Sequence, residues 1–330
     1  MSRALLLLTP LYAGAVAAKN LAWDHGWLRP EQLRWPVISI GNLSVGGSGK
    51  TPLVIRLAEL LRERGIAIDV LSRGYGRRSV TVARVDPSGS ADEFGDEPLL
   101  IARATGVPVI VEGSRYAAGK LAECDAAAPR VHLLDDGFQH RRLARSVDIV
   151  VLHRSDFSTP LLPAGRLRER FSSLRRAQIV AMREEDRDLE PELRRRGYDH
   201  PIWWMTRRLE MPGVFTAIAF CAIARPQEFL AEIRRQGTTL AATRFWRDHH
   251  RFRDGDISEL LELRRQHQTD AFLTTEKDLV RLTAAQRQAL QKSAPLHAAK
   301  LSVRLHDESA AIAQLLGFLP QTAAIRPQST

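Results

Sequence analysis

Residues 44–51 read Ser44-Val45-Gly46-Gly47-Ser48-Gly49-Lys50-Thr51 and join an apolar, β-branched stretch at 37–40 to an amphipathic stretch at 53–64. A glycine-rich loop that ends in Gly-Lys-Thr between a strand and a helix is typical of a phosphate-binding loop. Its glycines allow backbone N–H groups to converge on phosphate oxygens. Lys50 would reach the β- and γ-phosphates, and the Thr51 hydroxyl would ligate Mg²⁺. The sequence therefore predicts that these residues bind a nucleoside triphosphate.

The loop departs from the usual pattern at Ser44, where a glycine is expected. A glycine- and serine-rich turn that binds nothing is the alternative interpretation. The position of Gly-Lys-Thr at a strand–helix junction favours phosphate binding, because the positive end of the following helix would face the same anion.

Composition limits the classes of partner. The chain has 330 residues, a net charge of +10 that comes almost entirely from arginine, and two distant cysteines, Cys124 and Cys221, without metal-ligand spacing. The charge indicates either a solvated basic surface or an acidic partner such as a phosphorylated substrate or an anionic membrane. No nucleic-acid-binding motif accompanies it, so we expect no nucleic acid partner.

The N-terminus carries an apolar run at 4–18 that Pro10 interrupts. A signal peptide, a helix of a soluble core and a segment lying in the membrane interface are the three interpretations. The run is short for a transmembrane helix. Residues that favour the headgroup region follow it, which supports the interfacial interpretation: these are Trp23, Trp27, Arg29 and Arg34.

Strands and helices alternate along the chain, which predicts an α/β fold with a mostly parallel sheet. In the first series, strands are expected at 37–40, 66–71, 107–111, 131–134, 147–152 and 179–182, and helices at 53–64, 97–105 and 116–127. An extended stretch at 202–212 ends at Pro212-Gly213. In the second series, strands are expected at 215–221, 239–243, 271–274 and 300–303, and helices at 226–236, 257–266, 283–292 and 308–316.

This rhythm predicts four regions. Residues 1–30 form the apolar membrane-interface segment, and residues 31–210 form a P-loop domain. Residues 211–320 form a smaller α/β domain, and the tail at 321–330 is expected to be disordered.

The stretch 130–136 has the form of a Walker B strand, apolar residues that end in Asp135-Asp136. A carboxylate at the end of such a strand faces the Mg²⁺ that Thr51 would also hold. Adjacent strand residues point to opposite faces, so one Asp would hold the metal and the other a different group. A strand that merely ends in an Asp-Asp-Gly turn is the alternative. Gln139 and His140 extend the site as candidate substrate contacts.

Asp96 and Glu97 precede a predicted helix and form a second acidic pair. Asp96 fits a helix N-cap, which is the structural alternative. A carboxylate that accepts the proton of an acceptor hydroxyl would serve phosphoryl transfer. Arg115 opens the next helix and would stabilise transferring charge, although a lone arginine is more often in a surface ion pair.

In the second series, Asp248-His249-His250 lacks a third ligand at metal spacing. A histidine that orients a catalytic Asp is the functional interpretation, and exposed loop histidines are the alternative. Thr274-Thr275-Glu276-Lys277-Asp278 is similar to a guanine-recognition motif. That motif needs Lys-x-Asp, and Lys277 and Asp278 are adjacent here, so guanine specificity is not expected.

These motifs together resemble the tetraacyldisaccharide 4′-kinase family, the lipid A kinases. The resemblance extends from the N-terminal Pro-Leu-Tyr to about residue 305, and Asp-Asp-Gly-Phe-Gln-His at 135–140 is its most distinctive motif. Ser44 fits it too, because the family accepts Ser or Thr there. Ala222 and Arg166 stand where many members have Gly and Pro. The other matching stretches are 40–52, 72–77, 95–98, 162–169, 224–226, 248–249 and 274–278.

The resemblance implies an enzyme at the cytoplasmic face of the bacterial inner membrane. It would transfer the γ-phosphate of ATP to the 4′-hydroxyl of an acylated glucosamine disaccharide 1-phosphate, with Mg²⁺ as cofactor. The implied fold is a P-loop domain joined by a β linker to a smaller α/β domain. A nucleotide switch that hydrolyses ATP or GTP is the alternative, and a membrane protein with a vestigial loop is a third interpretation.

The resemblance also carries roles to individual residues. Asp96 and His249 would be the catalytic pair, acting with Lys50 and Asp136. Thr51, Asp135 and Asp136 would hold Mg²⁺ with Glu97 nearby. Apart from the resemblance, the candidates to meet charge on the substrate or transition state are Arg73, Arg77, Arg115 and Arg168, with Gln139 and His140 as further candidate substrate contacts.

Overall fold

The computed structural model describes residues 3–47 and 49–320. Ser48, predicted to bind ATP, and the tail at 321–330, predicted to be disordered, lie outside the described residues.

The strand before the glycine loop, β1 (Val37–Asn42), is buried along its whole length inside a twelve-stranded sheet. Its neighbours on both sides run parallel to it, as expected for an α/β fold. The remaining strands of this half are β2 (Ile68–Ser72), β3 (Ala83–Arg84), β4 (Val109–Val111), β5 (Val131–Asp135), β6 (Val147–Val151), β7 (Ile179–Arg183) and β8 (Ile202–Glu210). They lie in the order β8-β7-β6-β1-β5-β2-β4-β3, and only β3 pairs antiparallel within it.

The second half continues the same sheet. Its strands are β9 (Thr216–Cys221), β10 (Thr239–Phe245), β11 (Ala271–Thr275) and β12 (Leu296–Leu305), in the order β10-β9-β11-β12. β12 pairs parallel with β11 through its first half and antiparallel with β8 through its second half. The predicted strand at 300–303 is therefore only the second half of β12. The predicted fold class, a mostly parallel sheet flanked by helices, is confirmed.

Helices cover the sheet. They are α1 (Arg3–Asp24), α2 (Lys50–Glu63), α3 (Ala91–Phe94), α4 (Asp96–Thr105), α5 (Arg115–Cys124), α6 (Glu190–Arg195), α7 (Pro226–Arg235), α8 (Asp254–His267), α9 (Glu276–Leu279), α10 (Ala284–Ser293) and α11 (Glu308–Gly317). The largest core lies between the sheet and α2, α4 and α11. Leu53, Leu57 and Leu61 form part of the buried face of α2, and Pro52 is tolerated in its first turn.

The last helix, α11, packs into the core of the first half, and Arg56 of α2 donates to its Glu308 at 2.9 and 2.7 Å. The chain thus crosses to the second half through β8 and returns through β12. The domain division near residue 210 stays a prediction, and it falls at the end of β8.

At the N-terminus, α1 continues through Pro10, which removes one helical hydrogen bond without ending the helix. Leu7 and Leu11 on its outer side are 81% and 74% exposed. On the inner side, Tyr12 donates to the carbonyl of Arg168 at 3.0 Å and Asn20 donates to Glu169 at 2.8 Å. Of the helices that the structure describes, none combines the length and apolarity needed to cross a bilayer.

Candidate active site

The carboxyl ends of β1, β2 and β5 open into a cleft of about 1290 Å³ between the two halves of the chain. Crevices beyond the carboxyl ends of parallel strands are the usual ligand sites of such sheets. The predicted site residues that line it are Val45, Gly46, Gly47, Gly49, Lys50, Thr51, Arg73, Glu97, Asp135, Asp136, Arg168 and His249. The predicted residues that lie outside its lining are Ser44, Arg77, Asp96, Arg115, Gln139 and His140.

The glycine loop is held from behind by the segment 166–168. Arg166 donates through Nε and Nη2 to the carbonyl of Val45 at 3.1 and 2.9 Å, and Ser44 forms an isolated antiparallel bridge with Leu167. Gly46 has φ +100°, and a Cβ there would lie 2.0 Å from Arg166 Nη2, so both the backbone and the packing require glycine. These contacts hold residues 44–46 of the loop in place.

Lys50 and Asp136 form the centre of the phosphate side. Lys50 Nζ lies 3.4 Å from Asp136 Oδ1 and donates to Asn42 Oδ1 at 3.3 Å. Arg168 donates to Asp136 at 3.0 Å and to Gln139 at 3.0 Å. Although burial opposes ionisation, Lys50 and Arg168 hold the pKa of Asp136 below its ordinary value. Two cations thus share one carboxylate where the γ-phosphate of a nucleotide would lie.

Asp135 has a different environment although it is the next residue. Its Oδ2 accepts from Ser72 at 3.2 Å, and its buried Oδ1 has no hydrogen-bond partner among the described residues. Burial, with the charges of Glu97 and Asp136, raises the pKa of Asp135 to about 7. The left-handed backbone of Asp136, with φ +51°, separates the two side chains. A buried oxygen without a partner among carboxylates is where a cation would be stabilised.

Asp96, at the start of α4, is enclosed by cations of the second half. It accepts from His249 Nδ1 at 3.1 Å, from Arg281 Nε at 2.9 Å and from Arg281 Nη2. Although burial opposes ionisation, His249, Lys277 and Arg281 hold the pKa of Asp96 well below its usual range. Lys277 donates to the adjacent Glu97 at 2.6 Å. Asp96 and His249, 153 residues apart in the chain, therefore form a hydrogen-bonded pair at the cleft.

Of the four remaining predicted contacts, three donate to backbone carbonyls. Gln139 donates to the carbonyl of Asn42 at 3.0 Å, and Arg77 donates to the carbonyl of Thr81 at 2.7 Å. Arg115 is 4% exposed and donates to the carbonyls of 112 and 113, and burial lowers its pKa to about 10. Burial, with the neighbouring arginines, lowers the pKa of His140 to about 4. In this arrangement Arg77, Arg115 and Gln139 support the cleft wall, and their substrate contacts stay predictions.

Sequence reasoning missed Lys277 and Arg281 as partners of the acidic pair. Lys277 lies in the stretch that was compared with guanine-recognition motifs. It is the second residue of the short helix α9, directly after the end of β11. Asp278 of that stretch is fully buried and accepts from the Ala222 N–H at 3.1 Å and from Arg281 at 2.8 Å. The side chain of Asp278 therefore connects α9 to the turn after β9, which is a structural role.

A glycine loop with its lysine, a carboxylate pair after β5 and a mostly parallel sheet define a P-loop protein of the kinase class. The comparisons with known proteins specify the family. The model of the family "Tetraacyldisaccharide-1-P 4'-kinase" matches residues 1–319. The chain belongs to this family and is a kinase, as the resemblance predicted.

Members of this family and one solved structure are similar over nearly the full chain. The tetraacyldisaccharide 4′-kinase of Koribacter versatilis is 41% identical over 94% of this chain and 98% of that protein. The enzyme of Geobacter metallireducens is 38% identical over 92% of this chain and 94% of that protein. The crystal structure of LpxK from Aquifex aeolicus in complex with ATP has a TM-score of 0.75 at 30% identity, and covers 96% of this chain and 98% of that one.

Proposed function

We propose that this chain transfers the γ-phosphate of ATP to the 4′-hydroxyl of an acylated glucosamine disaccharide 1-phosphate, in the synthesis of lipid A. The main observation that supports this function is that two pairs of charged side chains meet at one cleft. Lys50 and Asp136 line this cleft beside the glycine loop, and His249, which is hydrogen-bonded to Asp96, lines it as well. The first suits a nucleotide phosphate and the second suits a hydroxyl that must lose a proton.

We assign the nucleotide end to the glycine loop. Backbone N–H groups of 46–51 would surround the β-phosphate, and Lys50 would exchange its contact with Asp136 for the β- and γ-phosphate oxygens. Arg168, which already donates to Asp136, lies close enough to this position to balance charge on the transferring group.

The residues present fit a Mg²⁺ ion. Asp135 offers a buried oxygen without a hydrogen-bond partner, and Asp136 and Thr51 lie on the same side of the cleft. Within residues 3–47 and 49–320, no three acidic, histidine or cysteine side chains form a metal site by themselves. This agrees with the preference of Mg²⁺ for one or two carboxylates together with substrate phosphates. When bound, the ion would neutralise charge on the β- and γ-phosphates; Thr51, Asp135 and Asp136 would hold it, with Glu97 nearby.

The Asp96–His249 pair would accept the proton of the 4′-hydroxyl. Asp96 stays ionised at neutral pH because its partners stabilise the carboxylate. A weak base suffices, since the transition state of phosphoryl transfer is loose and the hydroxyl loses its proton late. The side chain of His249 is 30% exposed and that of Asp96 is 6% exposed. This difference favours His249 as the group that faces the hydroxyl, with Asp96 fixing its ring, over the reverse order predicted from the sequence.

We also propose that α1 binds the anionic membrane surface on the cytoplasmic face. The exposed leucines at 6, 7, 8, 11 and 21 would enter the interface, and the net charge of +10 would attract anionic lipids. Replacing Leu7 and Leu11 by Asp should reduce flotation with anionic vesicles by about tenfold or more. Unchanged flotation would place the membrane contact elsewhere.

A direct assay tests the transfer. The purified protein is incubated with γ-labelled ATP, Mg²⁺ and a tetraacyl disaccharide 1-phosphate in mixed micelles, with and without the lipid. Label on the lipid at the 4′ position is the expected result. Release of inorganic phosphate that does not depend on the lipid would overturn the kinase assignment in favour of a nucleotide switch.

A further inference from the structure

A second charged cluster lies in the same cleft, on the side of β1 opposite the catalytic pair. Glu228, in the first turn of α7, accepts from Arg183 at 2.7 Å and from Arg225 at 3.1 Å. Arg207 Nη1 and His153 Nε2 each lie 3.5 Å from the same carboxylate. All five side chains line the cleft. Three arginines and a histidine thus share Glu228, and Arg183 also donates to a second carboxylate, that of Glu185, at 2.9 Å.

Positive charge in this cluster exceeds negative charge, and part of its hydrogen-bonding capacity is unused. The Nε and Nη1 atoms of Arg207 are buried and donate to no oxygen within the described part of the chain. Burial lowers the pKa of Arg207 to about 10, which reflects the cost of holding this charge without a full set of partners. Buried guanidinium donors without acceptors are stabilised by an anion that arrives later.

The turn that carries Arg225 lies directly on the glycine loop. A Cβ built on Gly47 would be 3.6 Å from the Cβ of Ala224, and the same atom of Ala224 lies 3.6 Å from a Cβ on Gly46. Arg225 follows Ala224 and precedes α7. The second half of the chain therefore places an arginine beside the loop that would hold the β-phosphate.

Sheet order indicates which end of the nucleotide this cluster faces. Asp135 ends β5 and Ser72 ends β2, on one side of β1, and the acceptor hydroxyl would lie on that side. His153 follows β6, Arg183 ends β7 and Arg207 lies on β8, all on the other side of β1. A triphosphate chain that places its γ-phosphate at Asp135 must extend its nucleoside end toward β6, β7 and β8.

We propose that Arg183, Arg207 and Arg225 form a subsite for the α-phosphate of ATP, in which Glu228 holds the guanidinium groups in place until the nucleotide binds. The lining of the same cleft also includes the apolar side chains of Ile55, Met205 and Leu301, which are suited to a nucleobase. Since Arg225 belongs to the second half of the chain, nucleotide affinity would depend on that half being closed over the glycine loop. The proposal rests on the proposed use of ATP at this cleft.

Binding of ADP by the full-length protein with Mg²⁺ tests the subsite, because ADP keeps the α-phosphate and lacks the γ-phosphate. Arg225→Ala should weaken ADP binding, measured by calorimetry, by about tenfold or more, the usual effect of losing one hydrogen bond to a charged group. KM for ATP should rise in parallel, with kcat within about twofold and the KM of the lipid unchanged. Arg225→Lys, which keeps the charge, should recover part of the affinity.

Arg195→Ala is the matched control, since it removes the same charge from a side chain that is 71% exposed and pairs with Glu192 outside the cleft. If Arg225→Ala fails to fold, Arg207→Gln tests the same subsite. Unchanged ADP affinity in a folded variant would overturn the proposal and leave the cluster as a bond between the two halves. A rise in the KM of the lipid, or a fall of kcat at constant KM, would overturn it as well. Label transfer by the wild-type protein tests the kinase function separately.

Discussion

Two clusters of charge connect the halves of this chain across one cleft, and they differ in their balance. On the β5 side, Asp96 and Glu97 meet Lys277 and Arg281, with His249 between. Each of these two carboxylates has a full cation as its partner, and the Asp96 and Arg281 side chains are 6% and 5% exposed. On the β7 side, three arginines share the partly exposed Glu228.

The difference indicates two uses of charge. A balanced, buried cluster fixes the orientation of its members, since each group already has partners. A cluster with excess cations stays able to bind an anion. The first arrangement suits groups that must hold an acceptor hydroxyl in place, and the second suits groups that must recruit a nucleotide.

The largest expected effect comes from the residue that lies between the two clusters. Lys50→Ala should lower kcat by about a thousandfold or more, because it removes a cation from the transferring phosphate. Label transfer to the lipid measures this, and an unchanged denaturation midpoint shows that the fold is intact. Full activity would contradict the assignment of the glycine loop.

Removing the charge of Asp96 from the balanced cluster should lower kcat. Asp96→Asn keeps the shape but removes the charge that orients His249, and kcat should fall by about a hundredfold or more with little change in KM. His249→Gln should have a comparable effect, and the double variant should lose no more than either alone, since the pair acts as a unit. An effect confined to KM would make Asp96 a substrate-binding group.

Removing Arg281 from the same cluster should make the fold less stable. Arg281→Ala leaves Asp96 and Asp278 buried without their shared partner, and should lower the free energy of unfolding by about 3 kcal/mol. Chemical denaturation measures this change. Arg195→Ala, in an exposed ion pair, should change it by less than about 1 kcal/mol. Equal effects of the two substitutions would mean that the balanced cluster does not hold the halves together.

Removing the acid of the unbalanced cluster should have a smaller and opposite effect on ligand binding. Glu228→Gln deletes the carboxylate that competes with phosphate for the arginines, so ADP should bind about two- to fivefold more tightly. Calorimetry on the folded variant measures this. Weaker ADP binding would show that Glu228 is needed to position the guanidinium groups in the bound state.

The smallest expected effect is a change in the alkylation rate of Cys221, which lies near the cluster of Asp96, Glu97, Lys277 and Arg281. Cys221 is buried beside the turn that Asp278 and Arg281 hold, and burial raises the pKa of its thiol to about 12. At neutral pH an alkylating reagent should therefore modify the exposed Cys124 and spare Cys221. Arg281→Ala should speed the modification of Cys221, measured by peptide mass spectrometry. Equal rates in the wild-type protein and the variant would separate this turn from the cluster.

Local motifs made the phosphate side predictable from sequence. Lys50, Thr51 and Asp135 are each next to an apolar strand or an amphipathic helix, so a few consecutive residues define both the element and its chemistry. The α/β class followed from the same alternation.

The cluster around Asp96 and His249 was predictable from the sequence only in part. The pairing of Asp96 with His249 came from family resemblance, because nothing local indicates a partner 153 residues away. Lys277 and Arg281 were missed because their partners depend on how α9 packs against α4. The first half of β12 was missed because Leu296–Ala299 carries little β-branched sequence, and its pairing with β11 comes from tertiary packing. Pro10 suggested a break in the apolar run, but its flanking turns keep α1 continuous.

One hydrogen bond of α1 has a consequence for how preparations of this enzyme would behave. Tyr12 donates to the carbonyl of Arg168, and the side chain of Arg168 holds Asp136 beside Lys50. The helix proposed to bind lipid is thus connected to Lys50 through Arg168 and Asp136. A shortened protein made to avoid detergent would lose this brace along with its anchor. Its low turnover would be mistaken for poor access to the lipid, when the loss had begun at Asp136.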